Sequence, residues 1–370
     1  MAIRATRATG AAIAVAVAVA LLSPDAAEAQ ADYLKLAKKG VARAKSVWRD
    51  RKRGWYDESL HDRDRYPLAT IWGALPLFEA LDGIAVAEPT TANRKAVGAF
   101  ARGAERYFDK DLRPHGGFAP YPGSRGRVKT WFDDNGWWGL AFFDAFRVTA
   151  SRRYLRDAKR AFLYSANAGW DRLDGGLWWN TERRYKAGES LASNTLLGTL
   201  IYVQTKQPYY LQQVEKFIRW GNSDLWNEDA GLYARSDFDQ TAMPYVQGPL
   251  IEAHQLLCKA TGNQSFCADA AALADRVAER FLVLSMGPQY DCIYLRSMLA
   301  YGRFSGDGRW RAFAEAEAAR ALANGRDSSG LYLRAWDGSD MSGHQDGSGM
   351  LRTHAATISL FAWLAATPTS

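Results

Sequence analysis

From Ala31 onward the apolar positions recur at helical spacing, and almost nothing alternates with the period of two that a strand shows. Leu34, Ala37, Val41, Ala44 and Val47 stripe a first helix. A second begins near Pro67 and carries Ile71, Leu75, Phe78 and Leu81. A third, over 93–108, presents Val97, Phe100, Ala104 and Tyr107 and gives way to a Gly- and Pro-rich loop over 113–129. The same arrangement then repeats. An apolar helix over 134–149 has a more charged partner over 151–166, and pairs follow at 190–204 with 209–220, 247–261 with 265–281, and 291–304 with 310–323. A last apolar helix over 353–364 closes the chain.

This makes twelve helices, alternately apolar and amphipathic, repeating at about 45–65 residues per pair. Helices that are apolar all round belong inside, and striped ones belong outside. The pattern predicts an all-α (α/α)6 toroid of six inner and six outer helices, with the first helix in the outer ring. A right-handed solenoid of helix pairs is the alternative. The turns Thr149-Ala150-Ser151, Lys206-Gln207-Pro208 and Thr261-Gly262-Asn263 are short, whereas the loops before the apolar helices are long and carry Trp, Tyr, Asp or Gln. The long loops therefore gather at one end, which predicts a single functional face.

Composition changes this picture at the N-terminus. Arg4 and Arg7 precede an apolar run from Ala11 to Leu22, and Ala27-Glu28-Ala29 offers a small-x-small cleavage site. That is the three-part pattern of a secretory signal, and its apolar core is short for a spanning helix. The expectation is a signal peptide over 1–29, then one domain over 30–370 that is secreted, periplasmic or associated with the cell envelope. An uncleaved anchor is the alternative. No later run reaches the ~20 apolar residues of a membrane helix. The net charge of +7 is spread along the chain, so a solvated basic surface is favoured over a polyanion site, and no nucleic-acid partner is expected. Of Cys258, Cys267 and Cys292, the first two flank a helical turn and could bridge it. A monomer is the default expectation.

The candidate chemistry lies in Trp131-Phe132-Asp133-Asp134-Asn135-Gly136-Trp137-Trp138. Glycoside hydrolysis uses two carboxyl groups, one to attack or activate water and one to protonate the leaving oxygen, and indoles stack on sugar rings. Asp133 also has a plain structural reading as a helix N-cap, with Asp134 in the first turn. Chemistry by both carboxyls requires Asp133, or both residues, to lie at the loop-to-helix transition.

Asp133-Asp134-Asn135-x-Trp137-Trp138-x-Leu140-Ala141 resembles the signature of glycoside hydrolase family 76, the endo-α-1,6-mannanases. Gly175-Gly176-Leu177-Trp178-Trp179, Lys186, Asn194 and Tyr245-Val246-Gln247-Gly248 add to the resemblance, which runs through most of the chain after residue 30. It implies the same toroid and a retaining mechanism, with Asp133 as nucleophile and Asp134 as general acid/base. It also implies an α-1,6-linked mannan or similar mannose polymer as partner, cleaved with no metal or organic cofactor. A helix N-terminus would favour an ionised Asp133, and the second carboxyl would keep its proton.

Asn135, Trp137, Trp138, Trp178, Trp179, Asn194, Tyr245 and Gln247 are candidate glycan contacts. Asp291, Tyr294 and Arg296 are further candidates, although Tyr294-Leu295-Arg296 departs from the Phe-Lys form usual in the family. His254 and His354 read as core histidines. The segment over 337–349 reads as a flap or a loop. A transglycosylase using the same carboxyls and a non-catalytic glycan-binding toroid are the alternative functions. An epimerase is disfavoured because five His in the chain offer few candidates for a catalytic pair.

Overall fold

The computed structural model describes residues 24–60, 68–124, 126, 128–341 and 349–368, with side chains from Asp32 onward. The apolar leader, Pro67 and residues 342–348 of the 337–349 segment lie outside the described residues. Twelve α-helices follow one another through the rest: α1 (Pro24–Val47), α2 (Ile71–Ala87), α3 (Thr91–Ala104), α4 (Phe132–Thr149), α5 (Arg152–Tyr164), α6 (Gly188–Thr205), α7 (Pro208–Trp220), α8 (Pro244–Thr261), α9 (Gln264–Arg280), α10 (Pro288–Ser305), α11 (Arg309–Asn324) and α12 (Leu351–Ala366). Three antiparallel hairpins of two-residue strands decorate the loops.

The even-numbered helices pack each on the next, and α12 packs on α2, so the inner ring is closed. That closure excludes an open solenoid. It requires close approach: a Cβ added at Gly83 of α2 would stand 2.9 Å from the Cβ of Ala362 on α12. The odd-numbered helices lie outside, with α1 against α12 and α2, and α5 against α4 and α6. Helix α5 shows why it belongs there. Tyr154, Ala158, Ala161 and Phe162 are buried at helical spacing, while Arg152, Arg153, Arg156 and Arg160 face water. Inner helices lack such a polar face.

Four of the five turns from inner to outer helices, all but that between α2 and α3, share one device. Thr149, Thr205, Thr261 and Ser305 each donate a hydroxyl hydrogen bond to the carbonyl four residues back and accept one from the N–H two residues ahead. The residues that follow them, Ala150, Lys206, Gly262 and Gly306, adopt left-handed backbone, which ends each inner helix sharply. This face of the toroid is short-looped. Long loops and the six inner N-termini share the opposite face.

Cys258 and Cys267 form a disulfide across the α8–α9 turn, and Cys292 is a buried free thiol. His354 accepts from the Tyr332 N–H at Nδ1, so its Nε2–H donates to the Gly40 carbonyl, and burial holds its pKa down to about 4. His254 is likewise buried, with Nδ1 2.8 Å from the Leu250 carbonyl. Both are core histidines. Among the described residues, no helix is long and apolar enough to cross a membrane.

Candidate active site

Helix α4 starts at Phe132, and its N-cap is Trp131, which makes no side-chain cap hydrogen bond. Asp133 is therefore not a cap. It and Asp134 are the second and third residues of the helix, and both open onto one cavity of about 320 Å³ at the mouth of the toroid.

The remaining inner helices contribute by the same rule. Trp72 of α2, Glu189 of α6, Tyr245 of α8 and Arg352 of α12 are each second in their helix, and Tyr290 is third in α10; all line the cavity. The first turn of an inner helix faces the mouth of the toroid, whereas the later turns lie in the packed core. Two loops complete the wall. Trp179 and Arg235 come from the segments before α6 and α8.

Trp179 Nε1 donates to Asp133 Oδ2 at 3.2 Å, while Asp133 Oδ1 is buried with no hydrogen-bond partner. The Tyr245 hydroxyl donates to Glu189 Oε1 at 3.1 Å, and Arg235 Nε lies 3.6 Å from the same oxygen. Glu189 Oε2 has no hydrogen-bond partner. Beyond Asp134, Arg352 Nη1 donates to Glu58 Oε1 at 2.8 Å, and the Thr70 N–H donates to Glu58 Oε2.

Burial first, then the charges of Asp134 and Glu189, raise the Asp133 carboxyl well above the usual carboxylate range. The helix N-terminus does not prevail, contrary to the expectation of an ionised Asp133 in the free protein. Asp134 is pushed up to about 7, chiefly by burial and then by Glu58, with Arg352 opposing. The pair is thus poised to retain a proton near neutral pH. Two raised carboxyls in a cleft meet the requirement of a proton-handling site.

Several expected glycan contacts are elsewhere. Trp138 is fully buried against Phe78, Tyr107 and Phe142, and Trp137 is 2% exposed. Both are core residues, since they lie in the second turn of α4, below the two carboxyls. Trp178 packs on the small cluster around Phe132 and Tyr164, so of the tandem indoles only Trp179 reaches the cavity.

Asn135 binds the Phe118 backbone through both amide atoms, and Asn194 donates to the Phe132 carbonyl. They hold the strand and the helix start that present the carboxyls. Gln247 does the same for the α8 loop by clasping the Tyr233 N–H and carbonyl. Asp291 accepts from the Gly287 N–H at the start of its own helix, and Tyr294 is fully buried beside Phe281.

Arg296 is the largest departure. It is the ninth residue of α10, about 12 Å along the axis from the helix start. There it donates to Glu79 of α2 at 2.6 Å and to Asp144 of α4, under the ring of Trp363. It borders a separate cavity of about 290 Å³ at the short-turn face, away from Asp133 and Asp134.

Residues 113–291 match the family model described as Glycosyl hydrolase family 76. Over this span the chain resembles glycosyl hydrolase family 76. The family 76 match includes nine of the twelve residues that line the cavity, among them Asp133, Asp134, Trp179, Glu189, Arg235 and Tyr245. A family 76 α-mannanase from Bacteroides thetaiotaomicron is similar in fold, with a TM-score of 0.81 at 18% identity over 93% of this chain and 98% of that one.

The α-1,6-mannanase of Salegentibacter sp. superposes with a TM-score of 0.73 at 18% identity, over 90% of this chain and 99% of that one. An inactive variant of that enzyme with two aspartates changed to asparagine, in complex with α-1,6-mannotriose, matches at 17% identity and a TM-score of 0.73, over 90% of this chain and 99% of that one. No curated protein sequence matches the chain. The toroid read from helix periodicity is thus the fold of family 76 glycosidases.

Proposed function

We propose that this protein is an exported, retaining endo-α-1,6-mannanase. The observation that carries the reading is the pair Asp133 and Asp134, on consecutive first-turn positions, both opening onto one cavity. Two carboxyl groups opening onto one cavity suit the nucleophile and the acid that a retaining mechanism requires. The names of the similar structures, an α-1,6-mannanase and its mannotriose complex, support the choice of substrate.

In this reading Asp133 first releases its own proton to solvent, and its carboxylate then attacks the anomeric carbon while Asp134 gives its proton to the departing glycosidic oxygen. A covalent glycosyl-enzyme forms. Asp134, now ionised, takes a proton from water, which then displaces Asp133 with net retention. The Trp179 N–H steadies the Asp133 oxygen it contacts. Positive charge developing on the sugar lowers the cost of ionising Asp133 at the moment of attack. Glu189 and Arg235 present an acceptor and donors to sugar hydroxyls in the same cavity.

The test is the protein lacking residues 1–29 incubated with linear α-1,6-mannan, with products separated by chromatography and their anomeric configuration read by NMR. Short α-configured oligomannosides support the reading. Release of mannose alone, β-configured products, or an untouched polymer with folded protein each contradict part of it.

A pH prediction follows from Asp134. Its proton is required for the first step, so kcat/KM should fall as pH rises through about 7. The Glu58 carboxylate helps hold that proton, and its removal leaves the opposing Arg352 cation in place. A Glu58→Gln variant should therefore shift the alkaline limb to lower pH. A limb that stays in place in the variant's pH–rate profile would show that Glu58 does not act on this proton.

A further inference from the structure

Aromatic rings continue outward from the carboxyl pair along one wall of the cleft. Trp131 and Trp179 stand 6.2 Å apart between centroids, Trp179 and Tyr185 stack at 5.1 Å, and Phe238 meets Tyr185 edge-on at 5.0 Å. Trp131, Trp179 and Tyr185 are each half-buried by their neighbours, but Phe238 at the end of the row is 68% exposed. Trp131 and Trp179 belong to the cavity wall; Tyr185 and Phe238 lie beyond it.

Phe238 is not a loose tip. The Ser236 hydroxyl oxygen accepts from the N–H of Phe238 at 3.4 Å and of Asp239 at 3.0 Å, and the Ser236 N–H donates to the Asp239 carbonyl. The Asp237 N–H donates to the Lys186 carbonyl, and the Lys186 N–H donates to Asp237 Oδ1, each at 3.2 Å. Arg235 ties the turn to Asp239 at 3.1 Å while reaching Glu189 in the cavity. A large apolar ring is therefore held in water by a well-bonded turn. Its exposure costs solvation, and its packing on Tyr185 covers only part of it.

We propose that Phe238 is a sugar-stacking platform outside the catalytic cavity, which binds a further unit of a linear oligosaccharide and so makes the enzyme select long chains. This rests on the mannan reading of the same cleft. A hexose offers an apolar C–H face that suits an aromatic ring and a rim of hydroxyls. The neighbouring Asp237 and Gln240 side chains are exposed and can serve that rim. Preorganisation matters because the ring loses little freedom when the sugar docks.

The experiment compares kcat/KM on α-1,6-linked mannotriose and mannohexaose for wild type, Phe238→Ala and Phe238→Trp. The expected ratio of hexaose to triose efficiency falls about tenfold in Phe238→Ala and is restored in Phe238→Trp. Leu173→Ala serves as control, since Leu173 is 91% exposed on another loop of the same face, and its ratio should match wild type. Calorimetric binding of hexaose to Phe238→Ala in the Asp133→Asn background should weaken by the same factor.

An unchanged ratio in Phe238→Ala, an equal loss on both sugars, or an equal change in Leu173→Ala would each overturn the platform while leaving the mannanase reading intact. Failure of wild type to cleave either sugar would overturn the mannanase reading, and the platform with it.

Discussion

An Asp133→Asn variant is expected to fold, to melt no lower than wild type, and to lose about 10⁴-fold in kcat. The two halves of that expectation come from the same geometry. Asn keeps the side-chain volume and an oxygen for the Trp179 N–H, so the start of α4 is undisturbed. What disappears is a buried carboxyl repelled by Asp134 and Glu189, and with it the cost of ionising it. The variant should gain stability relative to wild type as pH rises, because only the wild type must then release a proton from a raised group.

Activity goes the other way, since an amide cannot form the glycosyl ester. Asp134→Asn should differ in kind. Its loss should shrink on an aryl α-mannoside, whose leaving group departs without a proton, whereas the Asp133→Asn loss should persist on both substrates. Calorimetric melting and initial rates on mannan and on the aryl glycoside check this. A variant that melts lower yet retains activity would return Asp133 to a purely structural role.

The toroid was legible because inner and outer helices differ in a property that sequence displays directly. Helix α5 alternates arginines with Tyr154, Ala158, Ala161 and Phe162, and α2 carries an almost unbroken apolar series. The short Thr- and Ser-containing turns marked one face and thereby located the other. Asp133 and Asp134 were legible for a different reason: two adjacent carboxylates beside indoles form a rare local string.

The rest of the site was hidden by helix starts read two or three residues late. Pro244 and Pro288 look like loop punctuation, yet proline suits the first position of a helix, where its missing N–H costs nothing. With α8 begun at Gln247 and α10 at Asp291, the inward-pointing first turn was assigned to loop, and Tyr290 passed unnoticed. Glu189 and Arg352 were missed likewise, one residue into α6 and α12. Deeper polar residues, Asn194, Gln247, Asp291 and Arg296, then drew the functional reading. Aligning the second residues of the six inner helices would have found Trp72, Asp133, Glu189, Tyr245 and Arg352 together. Arg235 had no such signal, because a loop hydrogen-bonded to its neighbours carries it to the cavity.

Arg296 gives the second large effect, in stability and not in catalysis. Arg296→Met removes the cation that pairs Glu79 on α2 with Asp144 on α4 and leaves both carboxyls inside the ring. Loss of one partner from a buried ion pair costs about 3–5 kcal/mol, whereas an exposed pair would cost under about 1. The loss should grow with pH.

Arg296 holds down the carboxyls of Glu79, Asp82 and Glu252, which burial raises, Glu252 to about 7. Without the guanidinium their folded-state values rise further. A group raised on folding contributes its stability below the unfolded value and loses it as pH climbs through the folded one, so the variant should melt nearest to wild type in acid and furthest from it above neutrality. Adding Glu79→Gln and Asp144→Asn should recover part of the loss, because the stranded charges go with them. Denaturant melts at several pH values measure all three. If Arg296 instead contacted glycan, Arg296→Met would raise KM at a permissive temperature with stability intact, and its place on α10, far below the first turn, predicts the reverse.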